Sequence, residues 1–125
     1  MKFKTLMMVK AIVCLVLGLP ILLVPKFFYG LFGLGLTDAG VFPAMQYGAS
    51  LLGNFMLTWY SRYARDTKAR HGLILGMTVY NGIGFIVTLI ALITGVLNLL
   101  GLLPLAIYLF FTIGFGYFLY KPPSP

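Results

Sequence analysis

Residues 61–71 read Ser-Arg-Tyr-Ala-Arg-Asp-Thr-Lys-Ala-Arg-His, between two long apolar stretches that reach back to Val41 and forward to Gly95. Dense charge between such segments is the pattern of a loop joining two membrane helices. A spanning helix needs about 20 predominantly apolar residues, and Lys and Arg collect in the short loops on the cytoplasmic side. The rest of the chain is placed relative to that hairpin.

The chain has 125 residues, 61% of them hydrophobic and 9% charged. An ordinary soluble domain has roughly 45–50% and about 25%. A soluble chain of this size buries only about two-thirds of the surface it exposes when unfolded, so lipid must solvate the remainder. The net charge of +7 would suggest nucleic acid in a soluble protein. Here the cations sit at segment ends, where they orient helices and meet anionic headgroups, and no nucleic-acid partner is expected.

Four segments have the length and apolarity of spans: about 6–24, 41–60, 73–94 and 102–120. The first carries Lys10 near its start, read as snorkelling to the headgroups, with a charge on an ion pathway as the alternative. Lys2 and Lys4 ahead of this run resemble a secretory signal, but further spans follow and the usual small-residue cleavage site is not seen, so an uncleaved helix is expected. Cys14 reads as a small packing residue. Residues 26–36, rich in Gly and in the aromatics Phe27, Phe28, Tyr29 and Phe32, suit an interfacial turn or short helix. Thr37 or Asp38 can cap the helix that follows. Residues 61–71 form the basic loop and 122–125 a short extended tail.

Orientation follows from charge. With a cytoplasmic N-terminus, that side holds Lys2, Lys4, Lys10, Arg62, Arg65, Lys68, Arg70 and Lys121, and the other holds Lys26. The expected fold is therefore all-α: a single polytopic domain over 1–125, an antiparallel four-helix transmembrane bundle with both termini cytoplasmic. The expected location is the prokaryotic cytoplasmic (inner) membrane; for an organelle the same rule is read relative to the compartment of synthesis.

At 100° per residue, Gln46, Ala49, Ser50, Gly53 and Asn54 share one face of the second span. Asn81, Gly84, Thr88 and Ala91 share one face of the third. Spans with small and polar stripes approach closely and exchange hydrogen bonds. The spacing predicts a seam between spans two and three built from Gln46, Ser50, Asn54, Asn81, Gly84 and Thr88, with Asn54 facing Asn81. The alternative is that Gln46, Asn54 and Asn81, with Tyr47 and Tyr80 nearby, line a polar cavity for a small solute.

No Asp, Glu or His falls within a span, which leaves a proton relay, a carboxylate-coupled exporter or an intramembrane metal site without ligands. His71 reads as an interfacial residue. No catalytic residue, metal ligand or cofactor is assigned, and no enzyme is expected. Arg62, Arg65, Lys68 and Arg70 are the candidates for anionic lipid, set against a purely topological role.

Leu17-Gly-Leu-Pro-Ile-Leu-Leu-Val-Pro25, Leu31-Phe-Gly33, Tyr47-Gly-Ala-Ser-Leu-Leu-Gly53, Tyr80-Asn-Gly82 and Asn98-Leu-Leu-Gly101 together resemble small four-span membrane proteins of bacteria and archaea, including those grouped as DoxX-like. The resemblance implies a fold and a membrane location, and hints at quinone-linked respiratory partners. The expected role is a structural or accessory subunit of a larger membrane complex. An oligomeric small-solute transporter or channel, and a lipid- or quinone-binding membrane module, are the alternatives.

Overall fold

The apolar runs all become helix. The computed structural model describes residues 2–123, so the last two residues of the expected tail lie outside the described part. The order is α1 (Phe3–Leu23), α2 (Pro25–Gly30), α3 (Asp38–Tyr60), α4 (Thr67–Ile93) and α5 (Leu102–Tyr120). Single 3-10 turns over Ser61–Tyr63 and Leu99–Gly101 lead into α4 and α5. Among the described residues there is no strand.

Among the described residues three stretches are long and apolar enough to cross a membrane: α1, α4, and α5 with the turn before it. The remaining long helix, α3, matches the expected span in length but is less apolar, because Gly40, Gln46, Gly48, Ser50, Gly53 and Asn54 interrupt it. The basic loop is shorter than 61–71. Asp66 Oδ1 accepts from the amides of Lys68 at 3.0 Å and Ala69 at 3.2 Å, which starts α4 at Thr67 and puts Lys68, Arg70 and His71 on its first turns. At the start of α3 the cap is Thr37, whose hydroxyl oxygen accepts from Gly40 N at 3.1 Å. Asp38 instead pairs with Lys26 at 2.7 Å.

The helices associate as two antiparallel pairs, α1 with α3 and α4 with α5. Glycines set both contacts. A Cβ on Gly48 would lie 2.8 Å from the backbone nitrogen of Leu22 and 3.1 Å from the carbonyl oxygen of Gly18, so at that point α1 and α3 touch backbone to backbone. In the second pair the Tyr108 ring occupies the space over Gly84.

The pairs join at the basic end through a core of Phe3, Leu6 and Met7 from α1, Ile74 and Met77 from α4, and Phe111, Phe115 and Phe118 from α5. Phe3 meets Phe118 edge to face with centroids 5.5 Å apart. At the opposite end Asn98 ties them again. Its side-chain amide donates to Leu31 O at 3.0 Å and its backbone N–H to Phe32 O at 3.0 Å. Gly33, at φ +83°, supplies the left-handed turn that brings residues 31–33 up to Asn98.

The predicted seam between spans two and three does not form. α3 and α4 make no extended contact, because α1 occupies the middle of the assembly and reaches α5 on its other side. Gln46, Ala49, Ser50 and Gly53 face outward. Asn54 donates to Ser50 O of its own helix at 3.0 Å, far from any bond to Asn81. The projection placed these residues correctly on one face but chose the wrong partner for it. Gly48, on another face, is where a neighbouring backbone fits.

Gly48→Ala should lower stability in detergent by about 1–3 kcal/mol, since a methyl group there must displace backbone. Gly53→Ala, with open space at its Cβ, should change it by no more than about 0.5 kcal/mol. Unfolding both variants in a denaturing detergent titration checks the pair; equal costs would contradict the α1–α3 contact.

Candidate functional site

Along α1 the buried positions run Phe3, Leu6 and Met7, Lys10 and Ala11, Cys14, Gly18, Ile21, a stripe spaced three or four residues apart. Lys10 lies in that stripe, so its side chain points inward whatever its charge prefers. It is 3% exposed, and the snorkelling expected of it does not occur. Its Nζ donates to Asn81 Oδ1 at 3.1 Å and sits 4.7 Å from the Phe111 ring centroid and 5.1 Å from that of Tyr80.

Asn81 is fully buried. Its Nδ2 donates to Met77 O at 2.7 Å, one turn back, which fixes the amide so that Oδ1 faces α1. The nearby rings present their negative faces to the ammonium, a contact that strengthens as water is removed. The only acidic side chains, Asp38 and Asp66, are engaged at the ends of the structure. Lys10 is thus held by one amide and two aromatic faces, with no carboxylate beside it.

From this point a cavity of about 300 Å³ runs between the helix pairs toward the Asn98 end. Its inner wall carries Lys10, Tyr47, Tyr80 and Tyr108. The hydroxyls of Tyr47 and Tyr108 are 2.5 Å apart, joining α3 to α5. The buried Tyr80 hydroxyl lies beside this pair without a well-formed hydrogen bond to either. The outer wall is apolar, with Ile21, Phe28, Phe32, Leu97 and Ile107. Val87 and Leu103 mark the mouth, at 60% and 54% exposed. It opens through apolar side chains beside α4 and α5.

The sequence-predicted residues divide around this cavity. Tyr47, Tyr80 and Thr88 line it, and Asn81 holds the lysine at its base. Thr88 donates to Gly84 O within α4 at 2.7 Å. Gly84 contributes by seating Tyr108. Gln46, Ser50 and Asn54 take no part. Lys10 and Tyr108 were missed as site residues. The signal for Lys10 was its register within the apolar stripe of α1; nothing in the sequence singled out Tyr108 among the aromatics of α5. Arg62, Arg65 and Arg70 line a separate pocket at the basic end, whereas Lys68 lies outside it.

The chain matches no protein-family model, no curated protein and no solved structure.

Asn81→Leu removes the amide that receives Lys10 and should cost about 1.5–3 kcal/mol, the range for a hydrogen bond to a charged group. Lys10→Met removes the charge together with its demand and should be close to neutral or stabilising. In the Lys10→Met background Asn81→Leu should cost far less. This double-mutant cycle, read by detergent unfolding, is expected to give a coupling above about 1 kcal/mol; additive effects would contradict the contact.

Proposed function

We propose that the protein is a multi-pass membrane protein that binds a lipophilic ligand, in the manner of a lipid- or quinone-binding module. The ligand's head would accept hydrogen bonds from Lys10 and Tyr80, and its body would fill the apolar outer cavity. The observation that carries this reading is a buried lysine amine beside three tyrosines, Tyr47, Tyr80 and Tyr108, at the inner end of a cavity with an apolar mouth. A water-soluble solute would have to cross that mouth against its own solvation, whereas a compound dissolved in the bilayer already lies beside it. A carboxylate head would supply the countercharge Lys10 lacks within the chain; the carbonyl of a quinone ring would accept the same hydrogen bonds and stack among the tyrosines.

The topology we propose has four spans, α3 being the fourth, with both termini on the cytoplasmic side of a prokaryotic inner membrane. Its support is the charge distribution. Lys2, Lys4, Arg62, Arg65, Arg70 and Lys121 gather at one end, and Lys26 stands at the other, next to Asp38.

An accessory-subunit role is favoured by one further observation. The face of α3 carrying Gln46, Ala49, Ser50 and Gly53 is turned outward, and small and polar residues facing a bilayer suit contact with another helix. Cysteine placed at Ser50 should cross-link to a neighbouring chain in native membranes more readily than cysteine at lipid-facing Ile86. Equal labelling without cross-linking at both positions would count against a partner on α3.

The binding reading is tested by purifying the protein from native membranes in mild detergent and extracting it with solvent for mass analysis. A lipophilic carboxylate or quinone should be recovered at near one per chain. Lys10→Met should retain it at least about tenfold less well, and Ile107→Trp, which fills the cavity without touching the charge, should exclude it. Recovery of bulk lipid alone, or equal retention by Lys10→Met, would overturn the reading.

A further inference from the structure

At the basic end, the start of α1, the segment after α3, the first turn of α4 and the residues at the end of α5 line a second, open pocket of about 580 Å³. Six cations line it: Lys2, Lys4, Arg62, Arg65, Arg70 and Lys121. Among the described residues no acidic side chain does. Asp66, the aspartate at this end, is turned onto the first amides of α4.

The cations are positioned by different means. Arg62 is held in place, its guanidinium 3.9 Å from the Trp59 ring centroid and 4.7 Å from that of Tyr63, while it donates to the Trp59 carbonyl oxygen. Lys4 comes from α1 to lie 4.5 Å from the same Tyr63 ring. The Lys4 ammonium and then the Arg62 guanidinium hold the exposed Tyr63 phenol below its ordinary value. Arg70 ties the walls together by donating to the carbonyl oxygens of Ala64 at 3.2 Å and Pro123 at 2.6 Å. Four separate parts of the chain, the start of α1, the segment after α3, the first turn of α4 and the end of α5, therefore bring positive charge to one concavity, against their mutual repulsion.

We propose that this pocket binds a multiply charged phosphate group, independently of the Lys10 cavity. A topological role requires only that cations lie on one side of the membrane; it gives no reason for them to converge around one concavity. Arginine forks match the paired oxygens of a phosphate, and lysines add point charge around it. A basic pocket between helices at the membrane surface suits a phosphorylated lipid headgroup, and a free phosphate compound offers the same oxygens from solution.

The full-length protein is placed in nanodiscs of phosphatidylcholine with or without phosphatidic acid, and retained lipid is counted by native mass spectrometry. In parallel, pyrophosphate is titrated into protein in neutral detergent. Lys4→Gln combined with Lys121→Gln removes two pocket cations, and Lys68→Gln removes one on the same side outside it. Retention of phosphatidic acid that falls about thirtyfold in the double variant and less than twofold in Lys68→Gln supports a lipid headgroup site. Pyrophosphate binding with that same variant pattern, without lipid retention, supports the site with a soluble ligand. An unchanged detergent-unfolding midpoint in the double variant reports that the fold is intact. Absence of both binding events, or equal losses in the double variant and Lys68→Gln, overturns the proposal and leaves the cations as orienting charges.

Discussion

The Lys10–Asn81 hydrogen bond is the most deeply buried of the polar junctions between the two helix pairs, which also meet at Tyr47–Tyr108 and at Asn98. Withdrawing an ammonium group from water costs several kcal/mol even after the surroundings relax. The return comes from one charge-assisted hydrogen bond and two aromatic faces, each worth on the order of 2 kcal/mol when desolvated. A large phenylalanine-rich core on one side of the junction makes the inward direction unavoidable for a residue in the stripe of α1. The cavity on the other side exists because the pairs, fastened at both ends, do not close over the lysine.

Much of this was legible in the sequence. The apolar lengths, a short helix in the stretch after Val24 and the N-cap at Thr37 follow from local chemistry, and most of their ends moved by only a few residues. The main shift, the start of α4 at Thr67, comes from Asp66 capping inside what reads as a charged loop. Helix pairing was not legible in the same way. Gln46, Ser50 and Asn54 share a face by simple periodicity, and so do Asn81, Gly84 and Thr88, but periodicity says nothing about which neighbour a face meets. That choice was made by Gly48 against Gly18 and by Gly84 beneath Tyr108, steric fits between residues far apart in the chain.

Lys10 shows why residue type alone misleads. A lysine one or two turns into a span ordinarily extends its stem toward the surface, and that expectation ignores which side of the helix it occupies. Its neighbours at three and four residues, Leu6, Met7 and Cys14, are all buried. The same reading explains the basic end. Arg62 and Lys4 are remote in sequence, yet the antiparallel run of α1 and α3 brings both to the Tyr63 ring.

Asn98 does several jobs at one position. With the phenylalanine core at the opposite end it fastens the ends of the two helix pairs, and it does so through hydrogen bonds to Leu31 and Phe32, beside the outer wall of the cavity. The side-chain oxygen of the same residue receives the amide of Leu100 at 3.0 Å, so one amino acid shapes the turn before α5 and latches it to the segment after α2. Widening the cavity at this end means releasing that latch. A single asparagine therefore sets the spacing of the helix pairs at this end, serving the turn, the latch and the edge of the cavity at once.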